Sequence, residues 1–291
     1  MRLRALATLL VFTVAAYAEP KPGEVVDVEI AKGVRMKYCW IPAGETQLGS
    51  PKEEQEYVLK TFFETPQPSD FLNDESQSAR GKFTTRGFWM GKYVVMQSEW
   101  EVVMGSNPSY FSKGGEGEQD VVGMRTSRFP VENVSWDDCQ EFLKRLNATA
   151  KLPLAVGKGR FVLPTDDQWE YACRVGKGNK QPFYFGDTLN GRQANIDGTI
   201  PYGKTKPGPN LKRTVEVGSY EKVAPHPWGL CDMCGNVWQW CENKFGDSGN
   251  WRCQRGGSWV YSPRFARSAH RGAAPDDIRY RDNGCRVVVL P

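Results

Sequence analysis

Between Trp228 and Trp259 the chain reads W-G-L-C-D-M-C-G-N-V-W-Q-W-C-E-N, then a short polar loop, then R-G-G-S-W. Trp228, Trp238, Trp240, Trp251 and Trp259 crowd this stretch, with Gly at the turns and Asp232, Asn236 and Gln239 set inside the aromatic runs. A buried Trp covers a large area and still needs an acceptor for its indole N–H. Such a stretch can fold as a cross-braced core hairpin, with the rest of the chain as a frame around it. Neither a helix nor a linker accommodates it.

The ends set the setting. Residues 1–18 have a basic start at Arg2 and Arg4, an apolar run from Ala5 to Ala16, and a small-x-small site before Glu19. That run is too short for a bilayer span, so a cleaved secretory signal is expected rather than an anchor, leaving no stable membrane span. A leader over 19–33 and one domain over 34–291 follow, and the protein is expected to be exported, to a periplasm, a cell surface or the medium. Without Arg2 and Arg4 the formal charge falls from +4 to +2, which argues against nucleic acid as a partner. Eight Cys in an exported chain point to disulfides. They allow on the order of 100 pairings, of which Cys241–Cys253, flanking one loop, is the first expectation. Cys231 and Cys234 form a C-x-x-C inside the Trp-rich turn, with no thioredoxin-like pattern around it, and read as structural rather than redox-active.

Along the chain, Val25 to Ile41 reads as a strand entering a turn, Ser50 to Arg86 as a long surface excursion, and Gly87 to Val95 as a second strand region. Three helices follow. Trp100, Val103 and Met104 share a face after Gln97. Ser135 caps a helix whose Cys139, Phe142, Leu143 and Leu146 form one stripe. Thr165-Asp-Asp-Gln168 is a capping box ahead of Trp169, Ala172 and Cys173. Lys177 to Glu221 is loop-rich.

Eight blocks in order resemble the formylglycine-generating-enzyme (sulfatase-modifying-factor) family: residues 41–50, 87–100, 130–139, 161–174, 229–240, 255–259, 267–271 and 283–288. The resemblance runs from about Val34 to Leu290. It implies a single α+β domain with a C-type-lectin-like fold, low in regular structure and holding calcium. Family members that oxidise a sulfatase Cys to formylglycine resemble one another in two redox Cys after R-G-G-S, where copper binds as a bis-thiolate, as soft ligands favour. Here Tyr261 and the Ser262–Pro263 region take those places, and only Ser258 matches around that site, so copper is not expected. A related branch of sulfoxide synthases uses iron held by several His in an extra helical domain; this chain has two His, His226 and His270, read as surface or groove residues.

For calcium, which takes six to eight hard oxygens, the resemblance implies the Asp232 side chain, the Gly235 and Val237 carbonyls and the Gln239 side-chain oxygen; the bland alternative is that Asp232 and Gln239 bond the turn. A second site is implied at Asn195 and the Ile196 carbonyl. From Trp251 onward eight Arg face three Asp. Arg forks suit carboxylates, phosphates and aromatic faces. Trp259, Tyr261, Ser262, Arg264, His270 and Tyr280 are therefore the candidate groove for a peptide, protein, glycan or anionic ligand, whereas Arg255, Arg267, Arg271 and Arg286 are expected to brace loops. Three functions stay open: a binding module, a modifying enzyme such as a formylglycine-generating oxidoreductase, and a structural part of a surface or secretion apparatus.

Overall fold

The computed structural model describes residues 19–65, 72–176, 178, 180–247 and 249–290. The expected signal segment lies outside them. Among the described residues no helix is long and apolar enough to cross a membrane.

The chain opens with strands β1 (Val25–Ala31) and β2 (Val34–Ile41). The single strand expected over 25–41 is thus an antiparallel hairpin, turning at Gly33 with φ 78°, a conformation that glycine adopts without a Cβ clash. Next come β3 (Gly44–Gln47), α1 (Lys52–Phe62), α2 (Gln77–Arg80), β4 (Lys82–Thr85) and β5 (Phe88–Gly91). The surface excursion expected over 50–86 therefore contains two helices and a strand. It lacked a readable period because α1 buries only Glu54 and Val58.

The three helices expected next are present as α3 (Gln97–Met104), α4 (Trp136–Thr149) and α5 (Asp166–Cys173), with β6 (Arg160–Val162) between the last two. Ser135 Oγ accepts the Asp138 N–H at 3.1 Å while Asp138 returns the bond to the Ser135 N–H at 2.9 Å. Thr165 and Gln168 do the same for α5. Trp100 of α3 stacks on Phe142 of α4 with ring centres 4.9 Å apart, a contact worth about 0.5–1.5 kcal/mol beyond its burial. A long irregular stretch then leads to β7 (Trp238–Lys244), β8 (Trp251–Arg255), β9 (Gly272–Pro275), β10 (Asn283–Cys285) and β11 (Val288–Leu290).

Two main sheets result, in the orders β1-β2-β5-β11-β6 and β10-β7-β8-β9, beside a β3-β4 ribbon. The Trp-rich stretch is the hairpin β7–β8, pairing Gln239 with Arg255 and Trp240 with Gln254. Trp240 is fully enclosed and donates its indole N–H to the Val134 carbonyl at 3.0 Å. This is an α+β fold with few helices and curled sheets, as expected.

Candidate functional site

The irregular segment ahead of β7 is held by its own polar groups. Gly235 has φ 76°, and a Cβ there would sit 2.3 Å from the Asn195 carbonyl oxygen, so only glycine passes this close. The Gln239 side-chain oxygen is fully engaged: Oε1 accepts from Trp169 Nε1 and Arg286 Nε, both at 2.8 Å, and the amide nitrogen donates to the Asp232 carbonyl at 2.8 Å. Asp232 accepts the Gly218 N–H at 2.7 Å. Burial pushes its carboxyl up to about 6 against the pull of that bond and of Arg286.

This geometry does not fit calcium on Asp232, Gly235, Val237 and Gln239. The oxygen that Gln239 would offer already faces a guanidinium, and a second cation would meet it as a like charge. Asp232 and Gln239 brace the turn. At the second implied place the donor set is open. Asn195 Oδ1 is buried without a partner, as is the hydroxyl of nearby Thr214, while Asn195 Nδ2 donates to the Arg213 carbonyl at 2.9 Å. Unpaired buried oxygens are what a hard cation would satisfy.

Four arginines expected to brace loops do so. Arg255 is fully buried, bonding Asp166 at 2.7 Å and Glu170 at 2.5 Å. Arg286 donates to the Gly91 carbonyl at 2.7 Å and the Cys231 carbonyl at 2.6 Å. Arg267 clamps Glu54 at 2.8 Å and Glu75 at 2.7 Å, tying α1 and the turn before α2 to the C-terminal part. Arg271 reaches Asp166 at 2.9 Å.

The candidate groove divides in two. Tyr261 and Tyr280 line one pocket of 410 Å³ against the four-stranded sheet, together with Trp238, Trp251, Arg281 and Asp282. Tyr261, Tyr280 and Trp251 are exposed, whereas Trp238 is buried beneath Tyr261 with ring centres 5.7 Å apart. Ser258 donates to Asp282 at 2.7 Å in the wall behind them, and burial holds the Asp282 carboxyl above its usual range. The remaining expected members point elsewhere. Trp259 is buried edge-on against Phe111, 5.4 Å away. Arg264 lies over Phe63 and Phe265 and donates to the Phe62 carbonyl at 3.1 Å, because the end of α1 comes to that face. His270 sits behind Trp238 and bonds Glu75 at 3.2 Å. Ser262 begins the short 3-10 turn Pro263–Ala266. His226 is no groove residue either. It is buried, its Nδ1 takes the Trp228 N–H at 3.1 Å, and burial lowers it to about 4, so it is neutral.

Sequence reasoning missed Trp251, Arg281 and Asp282 as lining residues. The register of β8 against β9, which sets Trp251 opposite Pro275, was not readable before the strands were placed.

All eight cysteines are buried free thiols, and none lines this pocket. The expected Cys241–Cys253 bridge is not formed. Cys241 donates to the Gln239 carbonyl, while Cys253 is engaged by the Lys244 carbonyl and Arg271. The C-x-x-C pair is not joined either: Cys231 points to the Gly229 carbonyl at 3.8 Å.

A family model described as "Sulfatase-modifying factor enzyme 1-like domain" matches residues 30–290. The chain is 26% identical over 257 residues to the chaperone protein LppX of Paenibacillus barcinonensis, covering 75% of this chain and 85% of that protein. It is 34% identical over 170 residues to the formylglycine-generating enzyme of Streptomyces coelicolor, covering 50% of this chain and 48% of that one, so it spans about half of that relative's length. In structure it is similar to Treponema denticola variable protein 1, with a TM-score of 0.66 at 22% identity, over 92% of this chain and 99% of that one.

Proposed function

Since the chain belongs to the sulfatase-modifying factor enzyme 1-like family, we propose that it is an exported binding module on that fold, taking a peptide segment of a partner protein in the Tyr261–Tyr280 pocket and performing no copper–thiolate oxidation. One observation carries this reading: the pocket beside position 261 is lined by aromatic, polar and small apolar side chains and by no cysteine. Cu(I) oxidation of a thiol needs soft sulfur ligands, and a phenol does not supply them. Exposed Tyr and Trp next to Arg281 and a buried carboxyl offer flat apolar area with a few polar anchors, the usual make-up of a peptide groove. The similarity to a protein named as a chaperone supports a polypeptide over a glycan as the partner.

A peptide array is the test. Saturable binding that Tyr261→Ala, Tyr280→Ala and Trp251→Ala each weaken is expected; equal binding by all three variants sinks the pocket. Conversion of a C-x-P-x-R peptide to an aldehyde, read by mass spectrometry, would overturn the non-oxidase reading. Export predicts that the protein recovered from the envelope or medium begins at Glu19. For calcium, the unpartnered Asn195 Oδ1 and the Ile196 carbonyl are the place we favour, and metal analysis of the purified protein with and without Asn195→Ala checks it.

A further inference from the structure

Two side chains of the Tyr261–Tyr280 pocket carry donors that nothing inside the protein meets. Gln254 of β8 and Asn283 of β10 both line it, with only 5% and 1% of their surfaces open to solvent. The amide nitrogen of each is buried without a hydrogen-bond partner among the described residues. Folded proteins rarely leave such donors unmet, because each loses its water on folding and gains nothing in return. Strand pairing says where they stand. Asn283 lies beside Trp238 and Gln254 beside Trp240. Paired residues share a face of a sheet, as do residues two apart on one strand, so both carboxamides belong to the Trp238 face. Gln254 is also opposite Gly272, which has no side chain to meet it. The Trp238 ring covers that glycine, 2.9 Å from where a Cβ would be.

The chemistry of a fitting partner follows from these groups. A carboxamide offers N–H donors, one carbonyl acceptor and no charge, and a peptide group offers the same two functions. An anion fits less well. The Asp282 carboxyl stands in the same wall, bonded to Ser258 at 2.7 Å. Arg281 lays its guanidinium over the rings of Tyr110 and Trp259, at 5.1 and 5.4 Å. Strand β7 runs between β8 and β10. The two carboxamides are therefore two strands and two residues apart, roughly 12 Å at the backbone or about four residues of extended chain. A single acetamido group does not reach both. We propose that Gln254 and Asn283 are specificity-determining residues that bond main-chain amides of an extended peptide crossing the pocket, leaving Tyr261, Tyr280 and Trp251 to its side chains. This rests on the peptide-binding reading above and adds what is read: backbone rather than sequence. Segments of many sequences then fit if their main-chain groups are free, and a segment whose amides already pair with one another is refused.

The test uses full-length protein, the variants Gln254→Met and Asn283→Leu, and a probe with main-chain polar groups only, tetra-alanine blocked by acetyl and N-methylamide. The side-chain amide resonances of Gln254 and Asn283 are followed by 15N NMR as the probe is added. Both are expected to shift along one saturable curve, and each variant to weaken binding about tenfold with no fall in its unfolding midpoint, since the donor removed was unpartnered. Unmoved resonances overturn the proposal. So does a lowered midpoint with affinity kept, which gives the carboxamides an internal role. N-acetylglucosamine moving both resonances at lower concentration than the peptide assigns them to a sugar and overturns it too. Should a variant not fold, the wild-type titration decides alone. Array peptides that need Tyr261 and Tyr280 but ignore Q254M and N283L leave the pocket standing and sink the backbone reading only; an array without binders and unmoved resonances sink both.

Discussion

Arg255 and Tyr261 lie six residues apart, yet Arg255 is wholly enclosed and Tyr261 leaves 38% of its surface to solvent. Behind the pocket and outside its lining, strands β7 and β8 carry a buried floor of groups held by several partners: Arg255 by Asp166 and Glu170, and Gln239 by Trp169 and Arg286. The rim of the pocket is made of Tyr261, Tyr280 and Trp251, whose rings face water. Floor residues answer to stability, because a buried charge without its partner is costly. Rim residues answer to whatever binds, because exposed aromatics contribute little to folding.

The contrast can be broken from either side. Arg255→Ala takes one guanidinium from Asp166 and Glu170, leaving them Arg80, Arg271 and Arg174, and should cost about 3 kcal/mol in denaturant unfolding; a loss comparable to that of a rim variant would show that the floor is not a framework. Gln239→Leu leaves the Trp169 N–H, the Arg286 guanidinium and the Asp232 carbonyl short of partners, and should cost about 1–3 kcal/mol. Calcium binding that vanishes in this variant while its fold is intact would restore the site the geometry argues against.

Acids inside the frame give a response of opposite signs. Burial pushes Glu99 and Glu132 up to about 8, although both accept backbone N–H bonds. Their folded values exceed their unfolded ones, so this stability is complete below the unfolded value and is lost as pH rises toward 8, at about 1 kcal/mol per pH unit for each carboxyl. Burial alone would raise Glu75 as well, but Arg267 and His270 overcome it and hold Glu75 at about 2. Its contribution is present above the unfolded value and is lost as pH falls toward 2. Melting followed across pH should therefore weaken in both directions, with Glu132→Gln flattening the alkaline limb and Glu75→Gln the acid limb. The smallest expected effect is on the rim. Tyr280→Ala should change stability by under about 0.5 kcal/mol while cutting peptide affinity by about tenfold, or 1.4 kcal/mol.

The same division explains what could be read before the chain was folded. Helices α4 and α5 were legible because Ser135 and Thr165 announce their ends and an apolar stripe follows. The β7–β8 hairpin was legible from its Trp spacing. Helix α1 was not, since its inward face is Glu54, whose partner Arg267 lies 213 residues away; no local pattern encodes such a contact. Arg264, His270 and Trp259 belong to the Arg-rich C-terminal part that suggests a groove, but alternate side chains of an irregular loop turn in and out with no period to follow. The pocket itself needed the register of β7, β8 and β9.

The Arg267 clamp on Glu54 and Glu75 holds the loop carrying Tyr261 from underneath, through a residue that is buried from solvent. A loop moored by its inner side chains can have its outer ones exchanged singly without loosening its path. The surface from Val260 to Ser262 is therefore suited to diversification, whether by drift between close relatives or by a deliberate library, at little hazard to the molecule that displays it.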